Sequence, residues 1–271
     1  MRDLTLRDQA RGDREEGSHG AELPQQGEPE AEERATAGYA LSVAPDPAAL
    51  AGIPLFAGLT PAQLAAVSGF LHRRAYPPRT TIMTMEEPGE VAYIILSGTV
   101  KVSLEQEDGT AVILAILGPG ELVGELSLID SYARSATVVT QEEGVLLSIN
   151  RLDFWHCLRT MPIISYNLAR ILSRRLRLAN AKIQSLATDN IYGRVARQLL
   201  DFAREYGVHG LDGEVLIPMR LTQNDLAGLV GASRVRVNQA LVAFKRRGLV
   251  SVEHGHQIIV HDPDLLADHC H

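Results

Sequence analysis

The sequence predicts an α+β chain: a strand-rich N-terminal domain built as a barrel or roll, one long helix, and a C-terminal winged helix-turn-helix. Three observations carry this. From Tyr76 to Asn150 the chain falls into short β-rich runs, "TTIMTM", "VAYIILSGTVKVSLEQ", "AVILAIL", "ATVVTQ" and "GVLLSIN", punctuated by Gly89, Gly98, Gly109, Gly118, Gly120 and Gly144. Many short strands with turn signals fit a barrel or roll. From Pro162 towards Leu186 apolar residues recur at three- and four-residue steps, the period of a helix face. From Leu221 onward "LTQNDLAGLVGASRVRVNQALVAFKRRGLVSVEHGHQIIVHD" orders helix, tight turn at Gly231, helix, and two strands joined through His254-Gly255.

Each element has its own local reason. Residues 1–47 hold 11 Asp or Glu against 5 Lys or Arg, so this segment carries −6 of the net charge of −7. Stretches such as "PQQGEPEAEERATAG" cannot bury enough apolar surface to offset the entropy of ordering, which predicts a disordered acidic extension. It is a solvated tail or, alternatively, an interaction or autoinhibitory arm. In "GLTPAQLAAVSGFLHRRAY", Thr60 is placed to cap a helix and Pro61 to open it, with Leu64, Val67 and Leu71 on one face. "RLDFWHCLRT" reads as a short helix closing a domain over residues 48–160.

Over residues 161–189, Ile164, Leu168, Ile171, Leu172, Leu176, Ala179, Ile183 and Leu186 form an apolar seam flanked by Arg174, Arg175, Arg177 and Lys182. Such a seam suits a two-helix dimer contact, with packing against the chain's own roll as the alternative. Asn190 can cap the next helix, "IYGRVARQLLDFAREYG", and the short strand of "GEVLIPM" follows within a domain over residues 190–271.

Composition excludes several classes. The longest apolar run, Ala111 to Leu117, is strand length and well short of a membrane span. The N-terminus lacks the basic start, apolar stretch and cleavage site of a secretory signal, so the chain reads as cytoplasmic with no membrane partner. Two cysteines, Cys157 and Cys270, do not make a disulfide framework or a close-spaced zinc or iron-sulfur set. No metal is expected, although His269, Cys270 and His271 in "HDPDLLADHCH" offer a metal-responsive alternative. No nucleophile-base pair points to an enzyme.

The C-terminal motif carries its own chemistry. Thr222 caps the first helix, whose buried side is Leu226, Leu229 and Val230; Val237, Leu241 and Phe244 do the same for the second. Between Gly231 and Gly248 lie five basic residues, Arg234, Arg236, Lys245, Arg246 and Arg247, and no acidic one. Ser233 can cap the recognition helix, Arg234 projects where guanine O6 and N7 lie in the major groove, and Thr222 can hold a backbone phosphate. Val235, Arg236, Asn238, Gln239 and Lys245 complete the expected DNA-facing set, although Lys245, Arg246 and Arg247 can also complement the helix dipole.

"GELSLIDSYARSA" and "LTQNDLAGLVGASRVRVNQAL", in that order around the long helix, resemble the bacterial cyclic-AMP receptor and fumarate-nitrate regulator family of transcription factors. The resemblance spans residues from about 50 to 265 and looks closest to actinobacterial members. It implies a cyclic-nucleotide-binding roll of jelly-roll type over 48–160, a dimerisation helix and hinge over 161–189, and a winged-helix DNA-binding domain over 190–271. It implies a homodimer with RNA polymerase as partner and two recognition helices about 34 Å apart on near-palindromic double-stranded DNA.

The resemblance further implies a cyclic nucleotide effector, cyclic AMP first, with Gly124 admitting the ligand and Glu125 accepting the ribose hydroxyl. The turn through Leu126 aims amides at the phosphate, Arg134 supplies the charge, Ser135 a hydroxyl and Ala136 a small wall. A Glu125–Arg134 ion pair across an empty cassette, in an effector-independent regulator, is the alternative. Ala179 and Asn180 stand where the cyclic-AMP receptor places Thr and Ser on adenine; Asn180 can still meet a purine edge. Val235 and Gln239 replace a Glu and an Arg on the recognition helix, so the operator is expected to differ, with Gln239 suited to adenine. The fumarate-nitrate branch's redox sensing lacks its N-terminal cysteine cluster here.

Overall fold

The computed structural model describes residues 39–40, 44–105, 111–211 and 213–270. The roll consists of two antiparallel sheets. One has the order β1 (Tyr39–Ala40), β2 (His72–Tyr76), β9 (Gly144–Asn150), β4 (Val91–Ser97), β7 (Leu122–Val123); the other runs β3 (Thr81–Met83), β8 (Thr137–Thr140), β5 (Val100–Glu105), β6 (Ala111–Leu117). Alternation along β4 explains the layering. Tyr93 and Ile95 point into the core between the sheets with Tyr76, Val100, Val138 and Leu146. Ala92 and Ile94 point the other way, into a second core shared with helices α1 (Pro47–Leu50), α2 (Pro61–Ser68) and α4 (Arg151–Thr160). A strand apolar on both faces is what a middle layer requires.

The expected helix at Thr60 is present and closes a reciprocal capping box with Gln63. The expected disorder of residues 1–38 falls outside the described residues. Its C-terminal end is corrected: Tyr39 and Ala40 pair with Ala75 and Arg74, and Asp46 caps α1 by accepting from Ala48 N at 2.9 Å. Leu50, just beyond that segment, is fully buried and anchors the helix to the roll's second core.

Helix α5 (Pro162–Thr188) extends for about 40 Å. Its first half is pinned to the roll: Ile164, Leu168 and Ile171 enter the second core, and Asn167 Nδ2 donates to the Leu55 and Ala57 carbonyls. Leu168 and Ile171, expected in the dimer seam, are therefore already buried by their own chain. Farther along, Leu176 is 63% and Ile183 66% exposed, with Ala179 and Leu186 also exposed and Leu172 half-buried. Residues 172, 176, 179, 183 and 186 alternate steps of four and three, a heptad seam open to a partner.

Asn190 caps α6 (Ile191–Tyr206) as expected. A four-stranded sheet, β10 (Val208–His209), β11 (Val215–Ile217), β13 (Ile258–Val260), β12 (Val250–Val252), forms the wing beside α7 (Gln223–Val230) and α8 (Arg234–Arg246). Gly231, at φ 63°, makes the left-handed turn between the two helices. Helix α9 (Pro263–Ala267) brings Leu266 and Cys270 into the same core, and His269 lies 3.0 Å from Arg247. The C-terminal residues thus serve packing, and among the described residues no group of three His, Cys, Asp or Glu could hold a metal. His271 lies outside the described residues.

The two domains share a contact. Ile113 and Ile116 of β6 join the core of the helix-turn-helix domain, and Lys182 Nζ donates to the Leu114 carbonyl at 3.1 Å. Gly228 of α7 meets β6 so closely that a Cβ there would lie 2.7 Å from Ile113 Cδ1. Among the described residues no helix is long and apolar enough to cross a membrane.

Candidate functional sites: the arginine cassette and the recognition helix

The stretch after β7 forms a six-residue helix, α3 (Glu125–Asp130), rather than a bare turn. Gly124 enters it at φ 80°; a Cβ there would lie 2.7 Å from Arg134 Nη1 and 3.1 Å from the Val91 carbonyl oxygen. Both the left-handed backbone and the close arginine demand glycine. Gly89 closes the other side, where a Cβ would lie 3.0 Å from Arg134 Cζ.

Arg134 is 7% exposed. Its backbone is held between turns, Arg134 N donating to Glu87 O and Glu86 N to Arg134 O. Its guanidinium donates to Gly124 O at 2.9 Å and Val91 O at 2.6 Å. Burial pulls this group below its ordinary pKa, with Tyr93, Glu125, Glu87 and Glu90 opposing, yet an arginine stays charged. A buried cation hydrogen-bonded to carbonyls is a site that gains from an anion.

Glu125 is buried beside it but bonds elsewhere: Arg175 Nη1, from α5, donates to Glu125 Oε1 at 2.9 Å. The alternative Glu125–Arg134 pair is thereby corrected. Arg175 Nη2 also donates to Glu121 Oε2 at 2.7 Å and to Leu122 O at 2.5 Å. Arg174 pairs with Glu121 on one side and with Glu205 of α6 on the other. Burial pushes the Glu125 carboxyl up against the pull of Arg175. Burial also works against the Arg175 charge, but Glu125 and Glu121 together hold it above its ordinary value. The result is a chain of ion pairs, Glu125–Arg175–Glu121–Arg174–Glu205, running from the cassette across α5 to the first helix of the DNA-binding domain.

Of the expected cassette residues, the fold buries Glu125, Arg134 and Ala136 and half-buries Gly124 beside them. It leaves Leu126 and Ser135 exposed and Asn180 exposed on α5, more than a turn beyond Arg175. Sequence reasoning missed Glu121, Arg174, Arg175, Glu205 and Gly89. The available signal was an Arg pair interrupting the apolar face of a helix that packs on the roll.

On the recognition helix, Ser233 caps α8 by accepting from Arg236 N at 3.4 Å, and Arg234, Val235, Arg236, Asn238, Gln239 and Lys245 all face solvent. Val237, Ala240, Leu241 and Phe244 bury the opposite side. Thr222 differs from expectation. Its hydroxyl donates to Asp225 Oδ2 at 2.5 Å inside a capping box, so the proton expected to hold a phosphate is already engaged.

A two-sheet roll with a buried arginine, joined by a long helix to a winged helix-turn-helix, defines a ligand-binding DNA-binding regulator. Residues 73–161 match the family described as Cyclic nucleotide-binding domain, and residues 193–269 match the Crp-like helix-turn-helix domain. The chain is 38% identical to the CRP-like cAMP-activated global transcriptional regulator of Mycobacterium tuberculosis H37Rv, over 80% of this chain and 96% of that one. It is 35% identical to the Cyclic AMP receptor protein of Thermus thermophilus, over 75% of this chain and 91% of the relative. Among solved structures, the c-di-GMP responsive global regulator of Xanthomonas campestris superposes with a TM-score of 0.60 at 26% identity, covering 75% of this chain and all of that one. The chain belongs to the CRP family of transcriptional regulators, whose members matched here are regulators rather than enzymes.

Proposed function

We propose that the protein acts in the cytoplasm as a homodimeric transcription regulator whose affinity for near-palindromic DNA is set by a cyclic nucleotide, cyclic AMP first. The observation that carries this is Arg134, a buried guanidinium bonded to carbonyls between two sterically required glycines. Its remaining donors suit a cyclic phosphate, which a planar fork holds better than a point charge. Ser135 at the rim supplies a hydroxyl, Ala136 keeps the wall small, and Leu126 covers the approach. Glu125 accepts a ribose hydroxyl in competition with Arg175, and Asn180 meets the purine edge.

The ion-pair chain then supplies the coupling. A ligand that draws on Glu125 redistributes Arg175 and Glu121, and through Arg174 it loosens Glu205 on α6. The contact of α7 with β6 weakens with it, and the recognition helices move to match the groove spacing. A coupling of roughly 1–3 kcal/mol suffices for 5- to 150-fold control of DNA affinity. On the DNA, Arg234 suits guanine, Gln239 adenine, and the exposed Val235 a thymine methyl, with Arg236, Asn238 and Lys245 beside them. RNA polymerase is the partner at the promoter.

Calorimetric titration with cyclic AMP, cyclic GMP and cyclic di-GMP tests the effector. Heat is expected with cyclic AMP; silence from all three supports an effector-independent regulator instead. The dimer has its own test in the double variant Leu176→Glu, Ile183→Glu. Four like charges facing each other across the seam are expected to give a monomer in sedimentation and to abolish cooperative binding to a two-half-site duplex. An unchanged dimer would place the contact elsewhere.

A further inference from the structure

The side chain of Gln223, the first residue of α7, lies between two residues of the recognition helix. Its Nε2 donates to Asn238 Oδ1 at 2.9 Å, and its Oε1 accepts from Arg234 Nε at 3.4 Å. A primary amide with a donor on one side and an acceptor on the other has its orientation decided by the network. Gln223 is half-buried, whereas Arg234 and Asn238 are exposed. It therefore lies behind the two readers.

We propose that Gln223 is a positioning residue that sets base specificity by fixing both readers at once. With Nε held, the Arg234 fork is turned so that its terminal nitrogens face the groove, where guanine presents O6 and N7 as paired acceptors. With Oδ1 held, the Asn238 amide cannot flip, and Nδ2 faces outward to donate to a base acceptor. Two flexible side chains on the exposed face would otherwise be ordered only when DNA arrives, and ordering at that stage costs affinity. The Gln223 bridge places much of that ordering in the free protein. The inference rests on the DNA-binding activity and is independent of which effector the roll takes.

The test uses the full-length dimer, with and without cyclic AMP, on the duplex that the wild type enriches from a randomised pool and on every single-base change of it. The wild type is expected to discriminate about tenfold or more at the bases read by Arg234 and Asn238. Gln223→Ala is expected to cut discrimination at both positions to about threefold, with little change on a scrambled duplex. Gln223→Glu still accepts from Arg234 but cannot donate to Asn238, so the guanine preference is expected to survive while the Asn238 position relaxes. Arg234→Ala and Asn238→Ala, each relaxing one position, identify which base is which. An unchanged specificity profile for Gln223→Ala would overturn the proposal. So would an equal loss on all sequences, the mark of a backbone contact. Failure of the wild type to enrich any sequence would instead remove the DNA-binding premise. Thermal melting of each variant separates these results from loss of fold.

Discussion

Arg134→Ala is expected to abolish cyclic-nucleotide binding while leaving a folded dimer. The guanidinium is the cationic group at the centre of the cassette, enclosed by Gly89 and Gly124. Losing two charge-assisted hydrogen bonds to a phosphate, at roughly 1.5–3 kcal/mol each, weakens binding about 100-fold or more. The fold tolerates the change better. Two carbonyls, Gly124 O and Val91 O, lose a donor, but a costly buried charge is removed at the same time. Calorimetry with cyclic AMP, paired with thermal melting, reads both effects. A variant that binds cyclic AMP like the wild type would show that the phosphate is held elsewhere. Arg134→Lys, with a point charge unable to span two acceptors, is expected to fall between.

Arg175→Ala is expected to produce the largest loss of stability, about 3–5 kcal/mol, because it strands the buried carboxylate of Glu125 and leaves the equally buried Glu121 with Arg174 alone. The effect has a pH signature. Burial already holds the Glu125 carboxyl above its ordinary value, and removing Arg175 raises it further. A carboxyl raised in the folded state contributes stability at low pH that is lost as pH rises through its folded pKa. The deficit of the variant is therefore expected to shrink as pH falls from neutrality into the ordinary carboxylate range. Denaturant titrations at neutral pH and in that lower range measure it. The double variant Arg175→Met, Glu125→Gln is expected to recover part of the stability, since no charge remains unpaired on Glu125. A loss below about 1 kcal/mol for Arg175→Ala would mean that the pair is solvated.

Both predictions centre on residues of different legibility. Arg134 stands ten residues from Gly124 within one motif, and that motif was enough to place the two side by side. Arg175 was visible only as a charge flanking a seam, because its partners Glu125 and Glu121 lie 50 and 54 residues away. Helix caps were legible for the same reason as Arg134: Thr60, Asn190, Thr222 and Ser233 each bond a backbone amide three residues on. The same locality misled at Thr222, where the cap consumes the hydroxyl assigned to DNA. At Leu168 and Ile171 a helical period reported that a face is apolar, but not which surface covers it.

By itself, the sequence determined the element order, the caps and the basic recognition helix, since each depends on interactions within a few residues. Only the tertiary structure decided that Leu168 and Ile171 belong to the roll while Leu176 and Ile183 remain open. It alone placed Ile113 against Gly228, joined Glu125 to Glu205 through two arginines, and put Gln223 behind Arg234 and Asn238. These are contacts between distant segments, and their energies depend on burial and geometry that periodicity and composition do not encode.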